Sequence, residues 1–243
     1  LGVYKNRFKD FSDFTFVFVG SLDLEEMKHY AKTYLASLPA IGREERGRYL
    51  GDDPLPGKRN VDISFGLEEK TSVRVLFTGK AEWSPENRYI MSVVRDLLNI
   101  RMRESLREEN GGTYGVGVYA NLTREPTERY STGFAFNCDP ANADLLINAG
   151  IHEILDLQER GFKIKNLEKV QEIHLRGYET GVKENGFWLR NLTSAAREGR
   201  EFSEILDFPN QVKEYDPERI LEAARKYFSF DNVVVAKLNP KHN

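Results

Sequence analysis

The sequence predicts an α+β fold, a mostly antiparallel sheet with helices packed on one face. Two strand-like runs precede a long helical pattern and two more follow it. Helical patterns then succeed one another, and an apolar run from Val233 to Leu238 closes the chain. Runs of strands and of helices without strict alternation are the mark of α+β packing rather than of a doubly wound parallel sheet.

Taken in order, FTFVFVG, Phe14 to Gly20, is a continuous apolar, β-branched and aromatic run of strand length, expected to be a buried strand. Asp23 to Leu38 has helical spacing at Met27, Tyr30, Ala31, Tyr34 and Leu38. Residues 39–57, rich in charge, Gly and Pro, read as a flexible linker within one α+β domain spanning 1–243. Asn60 to Glu68 and Thr71 to Gly79 read as strands of one sheet. Ser84-Pro85-Glu86 supplies a cap, a first-turn proline and an early acid for a helix whose stripe is Ile90, Val94, Leu97, Leu98 and Met102. Arg107 falls well off that stripe.

After Gly111-Gly112 the pattern switches to period two. Tyr114, Val116, Val118, Ala120 and Leu122 are expected on one strand face, with Gly115, Gly117, Tyr119 and Asn121 on the other. Arg129 to Cys138 alternates likewise and should pair antiparallel with it. Gly115 and Gly117 fit either a close approach of another backbone or a bulge. Helices are expected from Asp139-Pro140 to about Arg160, stopped by Gly161, then over Lys165 to Glu184, Phe187 to Gly199 and Pro217 to Tyr227, the last capped by Asp216. Phe228-Ser229-Phe230-Asp231-Asn232 leads into the closing strand much as Phe11-Ser12-Asp13 leads into FTFVFVG. The first copy has no helix before it, so the chain is expected to begin partway through a larger protein.

The 243 residues are 40% hydrophobic and 30% charged, the balance of a globular protein with a sizeable core. A net charge of -3, from 35 basic and 38 acidic residues, gives no broad attraction to nucleic acid or anionic membrane. No stretch approaches the roughly 18 apolar residues of a membrane span. A single cysteine, Cys138, excludes an internal disulfide and reads as a core residue on an apolar strand face. Compartment stays open.

Zinc sites of helical metallopeptidases need H-E-x-x-H or H-x-x-E-H, and neither occurs. His152-Glu153 with Asp156 comes nearest and reads as a solvated helix edge. There is no G-x-S-x-G and no P-loop, and Glu108-Glu109 point to different helix faces. What stands out is Arg107, in the last helical turn, joined by a short Asn110-Gly111-Gly112 cap to Tyr114 at the strand start.

Arg107-Glu108-Glu109-Asn110-Gly111-Gly112-Thr113-Tyr114, R-E-x-x-G-x-x-Y, resembles the C-terminal, non-zinc half of the insulinase and pitrilysin family of zinc metallopeptidases. The Gly-x-Leu-Asp turn of FTFVFVGSLDLEEM, Tyr34 to Pro39, Trp83-Ser84-Pro85 and the Gly161 to Leu167 approach agree in order, so the resemblance covers most of the chain. It implies a zinc cofactor held by H-x-x-E-H in an absent N-terminal half, which is the partner of this one. It further implies that Arg107 and Tyr114 bind peptide substrate opposite that zinc, while this half carries no metal and no catalytic residue of its own. Both side chains donate hydrogen bonds suited to a carbonyl or an oxyanion. The same residues also admit a structural reading, since arginine suits a helix C-terminus and strand tyrosines pack. A catalytically inactive scaffold or assembly subunit of the superfamily is the alternative function.

Overall fold

The computed structural model describes residues 1–43, 47–109 and 111–241; the side chains of Glu108, Glu109, Tyr114 and Glu214 lie outside what it describes, as do Asn110 and His242. In chain order the elements are α1 (Gly2–Arg7), α2 (Leu24–Tyr30), β1 (Lys58–Gly66), β2 (Thr71–Lys80), α3 (Pro85–Met102), β3 (Thr113–Thr123) and β4 (Arg129–Cys138). Then come α4 (Ala143–Arg160), α5 (Ile164–Gly181), α6 (Asn185–Glu198), α7 (Glu204–Glu214), α8 (Pro217–Tyr227) and β5 (Val233–Pro240). They form two compact units, Leu1–Arg48 with His174–Val212, and Tyr49–Ile173 with Lys213–Asn243.

The second unit holds a five-stranded sheet of order β1-β5-β2-β4-β3. β1 runs parallel to β5 and every other pairing is antiparallel. β1 and β2, adjacent in sequence, share the sheet, but the closing strand lies between them. Val73, Val75 and Phe77 of β2 alternate with outward residues and meet Phe134, Phe136 and Val233 in one core. That face is covered by α3, α4 and α8. All five stripe residues expected on α3 are buried, and the Ser84 hydroxyl accepts from Asn87 N at 3.0 Å as its N-cap. Asp216 caps α8 in the same way, through Glu218 N at 3.0 Å. α4 stops at Gly161, whose φ of 73° suits a residue without a side chain.

The first unit departs from expectation at FTFVFVG. Residues 14–19 form no helix or strand and join no sheet, and Phe14, Phe16 and Phe18 are exposed at 37, 42 and 49%. A strand pattern becomes a strand only when a neighbour takes its backbone groups, and among the described residues none does. α2 is capped by Asp23, which accepts from Glu25 N and Glu26 N, and widens into π-type turns over Ala31–Leu35. α7 has no counterpart in the expected helices because Pro209 sits inside it. An interior proline removes one helical hydrogen bond, and burial of Ile205 and Val212 on either side offsets that loss. The rings of Tyr178 and Phe208, stacked at 5.6 Å, tie α7 to α5.

Asp10, fully buried, organises the start of this unit. Its carboxylate accepts from Ser12 N and Oγ, Ile41 N at 3.0 Å and Arg43 N at 2.8 Å. These bonds, the Ser12 hydroxyl first, hold its pKa below the ordinary 3.8. A depressed folded-state pKa contributes stability that is present above about pH 4 and is lost as pH falls further. Asp10→Ala is therefore expected to raise amide exchange at Ile41 and Arg43 at neutral pH. The wild-type chain should lose protection there progressively below about pH 4, and fully only as pH falls through the depressed folded-state pKa; unchanged exchange in the variant would refute this anchor.

Candidate functional site

Helix α3 positions the site. Beyond Met102 its backbone widens into π-type turns over Arg103–Glu109, a local insertion frequent at functional sites. Ser105 and Leu106 are turned into the core, at 8 and 0% exposure, and Arg107 is turned out to solvent. Gly111 reverses the chain with φ of 59°, in the left-handed region where glycine meets no Cβ penalty. Gly112 then presses on α4, where an added Cβ would lie 2.9 Å from Leu146 Cδ1. The end of α3 and the start of β3 are thus set against the same helix.

Thr113 begins β3 as a buried hydroxyl that donates to Asn137 O at 2.7 Å and accepts from Gly115 N at 3.2 Å. Thr113 pairs with Cys138 but Val116 pairs with Phe136, so β3 carries one extra residue here, a β-bulge. The bulge places Tyr114 and Gly115 outside the simple alternation expected for them. Period two holds only from Val116 on, where Val118 is buried and Gly117 and Asn121 are exposed. Added Cβ atoms at Gly115 and Gly117 would meet nothing within 4 Å, so of the two readings of these glycines the bulge is the one the fold realises at Gly115. Asn99 of α3 accepts from Val118 N at 2.9 Å on the outer edge of β3, pinning this edge strand to the helix. Strand β3 packs against the Arg103–Glu109 turns that carry Arg107. The Tyr114 side chain itself lies outside the described atoms.

The helix edge at His152 is committed elsewhere. Arg101 Nε donates to Glu153 at 2.9 Å, its Nη1 donates to Gly161 O at 3.1 Å, and its Nη2 pairs with Asp156. Arg160 adds a second cation to Asp156 at 3.1 Å. The Arg101 hydrogen bond is the main reason the Asp156 pKa is lowered. Neither carboxylate is left to hold a cation, and among the described residues no group of three His, Cys, Asp or Glu side chains could do so. Zinc, which the family resemblance implies, therefore does not fit the residues described. Cys138 is 6% exposed and burial pushes its thiol pKa up, so it is a core residue and no nucleophile. The bulge, the Asn99 clip and the Arg101 clamp escape sequence reading, because each joins residues far apart in the chain.

A family model described as the peptidase M16 inactive domain matches residues 2–173. The chain belongs to the peptidase M16 family. The recognition drawn from the Arg107 to Tyr114 stretch holds, and with it the reading as the inactive, C-terminal type of domain in zinc-protease-like proteins. Among curated M16 relatives, a probable zinc protease PqqL of Haemophilus influenzae is 25% identical over 173 residues, 68% of this chain and 18% of that protein. A PQQL-like zinc protease of Arabidopsis thaliana is 26% identical over 200 residues, 76% of this chain and 21% of that protein. The chain thus spans about a fifth of the length of these relatives. Among solved structures, the periplasmic protease PqqL of Escherichia coli superposes with a TM-score of 0.77 at 16% identity, covering 91% of this chain and 25% of that one. A peptidase M16 inactive domain from Pseudomonas fluorescens gives 0.71 at 20%, covering 92% of this chain and 53% of that one. These superpositions carry the α+β fold.

Proposed function

We propose that this chain is the non-zinc half of an M16 zinc metalloendopeptidase, in which Arg107 and Tyr114 bind the peptide substrate and the metal is carried by an N-terminal half of the same protein. The observation that supports it most is the exposure of Arg107 on a π-type turn whose two preceding residues are buried, next to the bulge at the start of β3. A guanidinium and a phenol donate to the substrate carbonyl, and more strongly to the oxyanion that develops as water attacks it. No basic or carboxylate group of the described residues near them is needed as an acid or base.

Steady-state kinetics of the full-length protein test this reading. Arg107→Lys keeps the charge and loses the planar fork, so turnover should fall by about tenfold or more with zinc content and melting temperature held. Wild-type turnover in that variant would remove Arg107 from the site. Absence of any peptidase activity in the wild-type parent would favour the scaffold reading instead.

A further inference from the structure

The face of the sheet opposite the helices has a charge pattern that the overall composition conceals. Its outward positions follow from the register: Arg59 beside Val234, Val61 beside Ala236 and Ile63 beside Leu238 on β1 and β5, then Ser72, Arg74 and Leu76 on β2. On β4 and β3 the same rows continue through Ala135 with Gly117, and Gly133 with Tyr119. With Lys80 and Arg129 at one end, the face carries four cationic side chains and no carboxylate at any outward strand position, although the chain as a whole has a net charge of -3. Arg129 meets Asp52 of the preceding loop at 3.5 Å. Arg59 and Arg74 are exposed and have no ion-pair partner among the described residues.

Arg74 is set in place by what lies under it. Its guanidinium carbon is 5.8 Å from the centroid of the Tyr119 ring, within range of a cation–π contact. Tyr119 donates to Val75 O at 2.9 Å and lies across Gly133, where any Cβ would come within 2.6 Å of its hydroxyl oxygen. Burial pushes the Tyr119 pKa up to about 12, so the ring stays neutral beneath the cation. Around Arg74 opens a groove of about 490 Å³. Val61, Ile63 and Leu238 form its apolar side, and Gly115, next to Tyr114, lies at its other end.

We infer that this groove binds an acidic stretch of an extended peptide, with a carboxylate on Arg74 and a neighbouring apolar side chain against Val61, Ile63 and Leu238. Leu238 lies on the strand next to Arg74 and two residues along from its partner Ala236, about 8 Å away, close to the roughly 7 Å between alternate residues of an extended segment. An apolar strip beside the cation, and a tyrosine already engaged by Val75 and Arg74, suit a peptide better than the stacked bases of a single-stranded nucleic acid. The inference rests on the proposed peptide-binding role for its class of ligand and adds a preference for acidic sequences.

The test is fluorescence anisotropy on the whole 243-residue chain, with labelled peptides that share Ser-Gly flanks and carry Glu-Leu-Glu or Gln-Leu-Gln at the centre. The Glu peptide should bind about tenfold tighter at low salt, with the ratio shrinking as salt is raised. Arg74→Gln should abolish the ratio, and Arg74→Glu should shift preference to a Lys-Leu-Lys peptide, a rescue that misfolding would not produce. Equal binding of the first two peptides would overturn the inference, as would an unchanged ratio in Arg74→Gln or tighter binding to single-stranded RNA or anionic vesicles. Binding is read without turnover, so a failure of Arg107 and Tyr114 as substrate ligands in the kinetic test leaves this result standing, and the reverse.

Discussion

Turnover of the full-length protein should fall about 10²- to 10³-fold in Tyr114→Phe, the cost of removing one preorganised donor from a developing oxyanion. The substitution deletes a single hydroxyl. The backbone at this position is already fixed by Thr113, whose hydroxyl bonds Asn137 O and Gly115 N, and by the bulge itself. Fold and zinc content should therefore be unchanged. If the hydroxyl served ground and transition states alike, KM would rise and kcat would hold. Wild-type kinetics would show that Tyr114 does not touch the reacting peptide, and a lower melting temperature would show that it packs.

The largest loss of stability is expected from Phe134→Ala, about 3–5 kcal/mol. Phe134 is fully buried on β4 and stacks on Phe136 with centroids 6.2 Å apart. On α4 the chain leaves room for it with Gly150, where an added Cβ would lie 2.6 Å from the ring. Such a ring, clasped by a strand on one side and a helix backbone on the other, leaves a cavity that cannot collapse cheaply. Urea unfolding with an unchanged slope and a lower midpoint would confirm it. A loss below about 1 kcal/mol would mean that the neighbouring side chains refill the space.

How much of this was legible beforehand depends on the range of the interactions. The α3 stripe, the Ser84 and Asp216 caps and the Gly161 stop are local, and the sequence displays them in full. The β3–β4 hairpin follows from two alternating runs and a short loop. FTFVFVG shows the opposite case. Its composition states a strand, yet strand formation depends on a partner that composition does not name. α7 was hidden by Pro209, whose local cost tertiary burial overrides. At the candidate site, Arg107 and its exposure followed from helical phase, whereas the bulge at the start of β3 did not, because one extra residue leaves no mark in an alternating pattern.

The position of β5 bears on how the fold is made. In the sheet β1 touches only β5, and the bond from Gly57 N to Asn232 Oδ1 at their shared end bridges 175 positions of chain. Loops of that length close slowly. On a ribosome, β1 would leave the exit tunnel long before β5 was translated, with its backbone N–H and C=O groups unpaired in the meantime. The β2–β4–β3 portion, built from near neighbours, can assemble first and wait. Addition of β5 would then join β1 to that portion in one late step. The period before it is when chaperones or proteases have most access to the nascent chain.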